Sequence, residues 1–346
     1  MGHGAHDPRS YTGEALHACR YAAALLAAGL AVSCGSPGGD VLYLYTSLDA
    51  QESPVYIDAF ERETGVEVKW VRLSAGEALA RLEAERHNPQ VSIWFGGPSP
   101  EYIVAASRGL LEPFQPSLEH DLDPSARGIG WEWTGFYFGV IGFACNEQFF
   151  RQHRLECPDS WDDLLDPALR GQISVAYPYT SGTAYVVVAA LLALMGEEKG
   201  WDYIRSLDAQ VHHYNSSGSA AVTQVGLGEV AVGIAFSHDI LGKGRAQGYP
   251  VALSIPRDGT PSDIGAVALV KGGSRQDLGQ QFINWLLSER AQNLLAQFYR
   301  VPLHPNARIA EGAVRPHDVT LIEVDPVQAA TEQKRILAQW RQITGR

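Results

Sequence analysis

Gln172-Ile173-Ser174-Val175-Ala176-Tyr177-Pro178-Tyr179-Thr180-Ser181-Gly182-Thr183-Ala184-Tyr185, with the apolar run that continues to Met195, is the stretch on which the fold turns. Gln172 to Ala176 reads as a strand, and Ala184 to Met195 reads as a helix that is apolar on every side. Such a helix is buried, and about 12 apolar residues are too few to span a membrane. A strand that stops in Ser-Gly-Thr and restarts as a helix leaves backbone N–H groups free at the helix N-terminus. With the Ser181 and Thr183 hydroxyls, those groups suit an anion. Ser181 is also an ordinary N-cap residue type, so the turn gains meaning only from what the rest of the chain sets beside it.

Toward the N-terminus the same alternation repeats. Val41 to Tyr45 is a strand ending at Thr46-Ser47-Leu48-Asp49, and Ser53-Pro54 opens a helix carrying Val55, Ile57, Ala59 and Phe60. Thr64-Gly65 stops that helix, and Val66 to Leu73 is a strand. Ser74 and Glu77 form a capping box for a helix from Ala75 to Arg86. Val91 to Phe95 is the next strand, closed by Gly96-Gly97-Pro98. Strand and helix in alternation predict an α/β lobe with a largely parallel sheet, whose ligands sit beyond the carboxyl ends of the strands. Ser47 and Gly97 occupy such positions.

Toward the C-terminus, Trp131 to Asn146 is aromatic and apolar and too long for one strand inside one lobe. It is expected to cross from one lobe to another, its rings packing in the core or stacking on a ligand. A second α/β pattern follows. It includes a short helix from Trp161 to Leu165, the opening stretch, and a helix from Trp201 to Leu207. Beyond these come a hydroxyl-rich turn, Tyr214-Asn215-Ser216-Ser217-Gly218-Ser219, and a strand, Val230 to Phe236, that ends in Ser237-His238-Asp239. Val251 to Ile255 is a further strand, and Asp258-Gly259-Thr260-Pro261-Ser262-Asp263 leads into Ile264 to Val270. Gln276 to Leu295 reads as helical, and Asp325-Pro326 opens a last amphipathic helix ending near Ile343.

The chain has 346 residues, too many for one typical core, so two lobes are expected. Its formal net charge of −12 argues against a nucleic-acid partner and against a polybasic membrane face. An anionic ligand must therefore be held by local dipoles, hydroxyls and nearby donors. At the N-terminus, Arg20 precedes the apolar run Tyr21 to Val32, which leads into Ser33-Cys34. This pattern is expected to be a secretory signal over residues 1–33, with the residues before Cys34 resembling a bacterial lipobox and Cys34 the lipidated residue. The protein is then exported, lipid-anchored or periplasmic. Cys145 and Cys157 remain as an even pair expected to form a disulfide in that compartment.

The order and wording of these segments resemble the solute-binding proteins of ABC importers. The likeness is to the type II group of ferric-ion, hexose-phosphate and aminoethylphosphonate receptors. It rests on Phe60 to Val68, Asn88 to Gly97, Ser160 to Leu164, Ser181 to Tyr185, and Gly228 to Asp239. It implies a two-lobed type II periplasmic-binding-protein fold with the ligand cleft between lobes, over residues 41–137 plus 262–310 and residues 138–261, with a C-terminal helical segment at 311–346.

The classical ferric receptors place two adjacent tyrosines where this chain has His238-Asp239, so the resemblance favours the phosphorylated-sugar receptors, with Asp258 and Asp263 in the acidic positions of a later loop. It implies a ligand set of Ser47, Gly97, Ser181, Gly182, Thr183, Ser217, His238, Asp239, Asp258 and Asp263, with His238 donating to the ligand, particularly when protonated. Ser92 departs from the aspartate usual at its position. The implied function is capture of a small anionic solute, a phosphorylated sugar or phosphonate, by a monomer that serves an ABC permease, with no cofactor, no metal and no catalysis. The alternatives are ferric-ion capture with a synergistic anion and, further off, an exported serine hydrolase built on Ser181 or Ser237 with His238.

Overall fold

The computed structural model describes residues 1–3, 40–118 and 121–346; the leader and the Cys34 lipidation expected from the sequence lie outside them. In the first half, β1 (Val41–Thr46), α1 (Ser53–Thr64), β2 (Glu67–Arg72), α2 (Ala75–Ala84), β3 (Ile93–Pro98), α3 (Ser99–Ser107) and β4 (Leu111–Glu112) follow in order. Two of these boundaries follow directly from local chemistry. Ser74 and Glu77 close the capping box of α2, and Gly65, at φ 74°, ends α1 in a left-handed turn.

β5 (Thr134–Asn146) then carries the chain across, followed by α4 (Glu147–His153), β6 (Ile173–Ala176), α5 (Gly182–Met195), α6 (Glu197–Asp208), β7 (Val211–Asn215), α7 (Ala220–Leu227), β8 (Val232–Phe236), α8 (Ser237–Gln247) and β9 (Val251–Ser254). β10 (Ser262–Val270) returns to the first half, where α9 (Gln276–Leu286), α10 (Glu289–Gln292) and β11 (Val301–Pro302) precede the final helix, α11 (Pro326–Thr344).

The strands run in the order β2-β1-β3-β10-β5-β8-β6-β7. β1 is parallel to β2 and β3, and β6 is parallel to β7 and β8, as the α/β alternation predicts. The middle departs from the largely parallel expectation. β10 is antiparallel to both β3 and β5, and β5 is antiparallel to β8 and β9. The reason is connectivity, because a strand entering the second half and one returning from it run in opposite directions. β5 pairs with β10 from Thr134 to Val140, then with β8 from Ile141 to Cys145.

Each half has its own core. Leu42, Phe60, Phe95, Phe136 and Phe282 pack together in the first, and Phe143, Trp161, Tyr185 and Trp201 in the second. The rings of the β5 segment serve mainly these cores. Trp340 of α11 packs into the second core while Ala330 reaches the first, so the last helix spans the two.

One local feature departs from the sequence reading and another agrees with it. The helix expected over Trp161–Leu165 is a single 3-10 turn, Asp162–Leu165. The Asp163 carboxylate folds back to accept from the N–H groups of Asp159 and Ser160, closing the turn before it can propagate. Cys145, near the end of β5, is joined to Cys157 by a disulfide, with Cα atoms 5.9 Å apart.

Candidate functional site

A pocket enclosing about 430 Å³ of empty space, part of it open to solvent, lies where the loops of both halves converge. One wall is the opening turn. The Ser181 hydroxyl accepts from the Ala184 N–H, fixing the first turn of α5, and Gly182 and Thr183 face the pocket. Gly182 is required here by close approach. A Cβ on it would stand 2.5 Å from Cγ of Pro98 and 2.8 Å from Oε2 of Glu101, both from the first half. Beside it, Thr180 accepts a hydrogen bond from the Gly76 N–H of α2 at 2.9 Å, so the turn is already docked against the other half.

The facing wall comes from the strand ends of the first half. Ser47 accepts from the Trp94 indole N–H at 3.0 Å, which leaves its own O–H free to donate. Trp94 is itself held by stacking on Tyr102 at 3.9 Å. Gly97, at φ 86°, turns the chain at the end of β3 in a conformation that favours glycine. Arg72, the last residue of β2, reaches into the pocket and donates to Ser74 at 3.2 Å and, across the cleft, to Ser217 at 2.7 Å.

The end of the pocket lined by Asp49 and Asp239 pairs each carboxylate with a cation. Ser219 and Lys243, from the second half, bind Oδ2 of Asp49 at 2.9 and 3.0 Å. Burial pushes the Asp49 carboxyl up, but Lys243 and the surrounding donors outweigh it and hold the pKa below the ordinary value. Asp239 is pushed up to about 6, chiefly by burial, with Arg300 opposing.

Behind this end lies a buried cluster. Arg300 makes a two-pronged pair with Glu52, both bonds at 2.7 Å, and its Nη1 lies 2.5 Å from Nε2 of His238. The guanidinium sits 4.2 Å over the Tyr137 ring, and the imidazole stacks on Phe236 with centroids 5.0 Å apart. Burial first, and the Arg300 charge second, lower the His238 pKa well below its ordinary value. This corrects the expectation of a protonated His238 donor: an imidazolium here would face a guanidinium at hydrogen-bond distance. The ring is neutral, and Nε2 accepts from Arg300.

The structure thus brings Ser47, Gly97, Ser181, Gly182, Thr183, Ser217, His238 and Asp239 together around one pocket. Asp258 and Asp263 are not among its walls. Asp258 accepts from the Trp161 N–H at 3.1 Å and so anchors the 3-10 turn. Asp263 accepts from the backbone N–H and the hydroxyl of Ser99 and from the Ile264 N–H, facing a separate cavity beside Phe138. Both side chains are taken up in joining segments rather than in facing the cleft.

Asp49, Arg72, Tyr137, Ser219 and Arg300 line the pocket without having been selected from sequence. Asp49 and Arg72 stand at strand ends in the first half, where the carboxyl-end rule already pointed. Arg300 carries no local signal, since its partner Glu52 is 248 residues away.

Comparison with known proteins fits this architecture. The profile of a family described as bacterial extracellular solute-binding protein matches residues 105–325. The chain belongs to that family. A Haemophilus influenzae protein with no stated function is 32% identical over 91% of this chain and 94% of its own length. The periplasmic binding protein AfuA of Actinobacillus pleuropneumoniae, solved with exogenous fructose-6-phosphate bound, has a TM-score of 0.84 and 30% identity. The match covers 89% of this chain and 99% of AfuA. A putative 2-aminoethylphosphonate-binding periplasmic protein of Salmonella typhimurium is 26% identical over 70% of this chain and 71% of its own length. The solute-binding protein therefore has the two-lobed fold of its relatives, with the pocket between lobes. Among the described residues, no helix is long and apolar enough to cross a membrane.

Proposed function

We propose that this solute-binding protein captures a small phosphorylated sugar or phosphonate and hands it, unchanged, to an ABC permease. One observation carries the reading: the pocket wall sets two kinds of group beside one another. The Ser181-Gly182-Thr183 turn offers a helix N-terminus and hydroxyls, Arg72 adds a guanidinium, and Asp49 and Asp239 offer carboxylates. The donors suit phosphate or phosphonate oxygens. The carboxylates suit sugar hydroxyls or an ammonium group.

Capture proceeds by closure of residues 41–137 plus 262–310 upon residues 138–261, pivoting on β5 and β10. The change of β5 partner between Val140 and Ile141 supports that pivot. The Arg72–Ser217, Asp49–Ser219 and Asp49–Lys243 contacts are then bonds of the closed form, which buries the ligand. The protein acts as a monomer, tethered through Cys34.

Catalysis plays no part in this reading. The base a serine hydrolase would need is otherwise engaged: Nε2 of His238 accepts from Arg300. A ferric ion would call for several anionic oxygens, and burial raises the Tyr137 phenol to about 12, keeping it protonated.

The test is calorimetric titration of the mature protein with fructose 6-phosphate, 2-aminoethylphosphonate and ferric citrate. Binding of either phosphorus compound, abolished or greatly weakened by Thr183→Val, is expected. Binding of iron alone, with a visible absorption band, would overturn the reading.

A further inference from the structure

The three cationic side chains around the pocket are not equivalent. Arg300 is matched by Glu52 at 2.7 Å and has Asp239 at 3.6 Å, and Lys243 lies 3.0 Å from Asp49. Arg72 has no carboxylate within ion-pair distance among the described residues. Its Nε donates to the Leu48 carbonyl at 3.3 Å, its Nη1 to the Ser74 hydroxyl at 3.2 Å and its Nη2 to the Ser217 hydroxyl at 2.7 Å. Three neutral acceptors aim the guanidinium without cancelling its charge. In a chain of net charge −12, an uncompensated guanidinium held half-buried in a cleft is a local departure from the field around it.

Its neighbours divide the labour. The N–H and hydroxyl groups of the Ser181-Gly182-Thr183 turn are neutral donors and accept any tetrahedral oxyanion of the right size. A sulfate ester carries one negative charge and a phosphate ester two at alkaline pH, with nearly the same shape. The turn's donors distinguish these poorly, whereas a full positive charge distinguishes them well.

We propose that Arg72 is the charge-selecting residue of the site, favouring doubly charged phosphate or phosphonate head groups over singly charged isosteres of the same shape. This rests on the anion-capture reading above. Because Arg72 also bridges to Ser217, a merely structural role as a clasp between halves is the competing account, and the test separates them.

The experiment measures Kd for fructose 6-phosphate and fructose 6-sulfate at pH 8 by calorimetry. The wild type is expected to prefer the phosphate ester. Arg72→Met is expected to weaken the phosphate ester by roughly 10- to 100-fold, the range of a lost bond to a charged partner, and the sulfate ester by several-fold less. Arg72→Lys, which keeps the charge but not the fork, falls between. Ser217→Ala removes the clasp, one aiming acceptor and a pocket hydroxyl but leaves the charge, so whatever it does to affinity, the preference for the phosphate ester persists. Equal weakening of both esters by Arg72→Met, or loss of the preference in Ser217→Ala, would overturn the proposal. Should Arg72→Met fail to fold, Arg72→Gln decides by the same ratio. A wild type that binds both esters equally overturns the role of Arg72 alone; one that binds neither ester and no 2-aminoethylphosphonate overturns anion capture as well.

Discussion

Nη1 of Arg300 and Nε2 of His238, contributed by opposite halves of the molecule, meet at 2.5 Å in a fully enclosed contact. A guanidinium can only donate, so Nε2 accepts and the single imidazole proton sits on Nδ1. The folded-state pKa is depressed below the ordinary 6.5 by burial and by Arg300. By linkage, the stabilisation from this neutral ring is complete above about pH 6.5 and is lost as pH falls through the folded pKa. Nitrogen-15 spectra of labelled histidine are expected to show His238 as the neutral Nδ1–H tautomer from pH 8 down to pH 5.5. A titration of that residue centred near its ordinary value would sink the assignment.

The same guanidinium is the partner of Glu52, and both side chains are buried. Removing one charge strands the other in a low-dielectric interior, whereas removing both replaces an ion pair with apolar contact. Arg300→Met and Glu52→Met are each expected to lower unfolding free energy by about 3 to 5 kcal/mol, with the double variant recovering most of that loss. Urea unfolding of the four proteins measures this coupling. Additive losses in the double variant would mean that the two residues are independent.

These contacts mark where sequence reasoning stops. The α/β alternation, the crossing strand and the capped turns were legible because their signals are local: a capping box at Ser74 and Glu77, an apolar run too long for one lobe, Ser-Gly-Thr between strand and helix. The pocket's hydroxyls were legible as a set because strand ends converge in such folds. Arg300 was not, since nothing near it in sequence indicates Glu52 or His238. Asp258 and Asp263 show the converse. Acidic residues in a loop after a strand looked like ligand contacts, and tertiary packing instead placed them under the N–H groups of Trp161 and Ser99.

Gly218 tests how tightly the pocket is shaped around Thr183. A Cβ there would stand 2.5 Å from the Thr183 hydroxyl oxygen and 2.6 Å from its Cβ, so alanine must displace Thr183. Gly218→Ala is expected to weaken fructose 6-phosphate binding by roughly tenfold, the scale of one lost bond to a charged ligand. Calorimetry that finds affinity unchanged in this variant would remove Thr183 from the ligand contacts.

Glu101 stands behind the same turn, with Oε2 buried and unpartnered among the described residues, on the side where Gly182 lacks a side chain. Burial, with a smaller contribution from Asp263, raises its pKa from 4.5 to about 8, so it is mostly a neutral acid at pH 7. A raised acid pKa contributes stability that is complete below about pH 4.5 and is lost as pH rises through about 8. Glu101→Gln removes that dependence. Its melting temperature is expected to match the wild type near pH 5 and to exceed it by about 2 to 5 °C at pH 8.5. The same ionisation sets a negative charge beside the N-terminus of α5, the place proposed for the anion. Wild-type affinity for fructose 6-phosphate is therefore expected to fall above pH 8, and the Gln variant to keep its affinity there. Parallel melting curves and parallel affinity profiles for the two proteins would show that Glu101 does not titrate in this range and that the buried carboxyl takes no part in setting the charge at the turn.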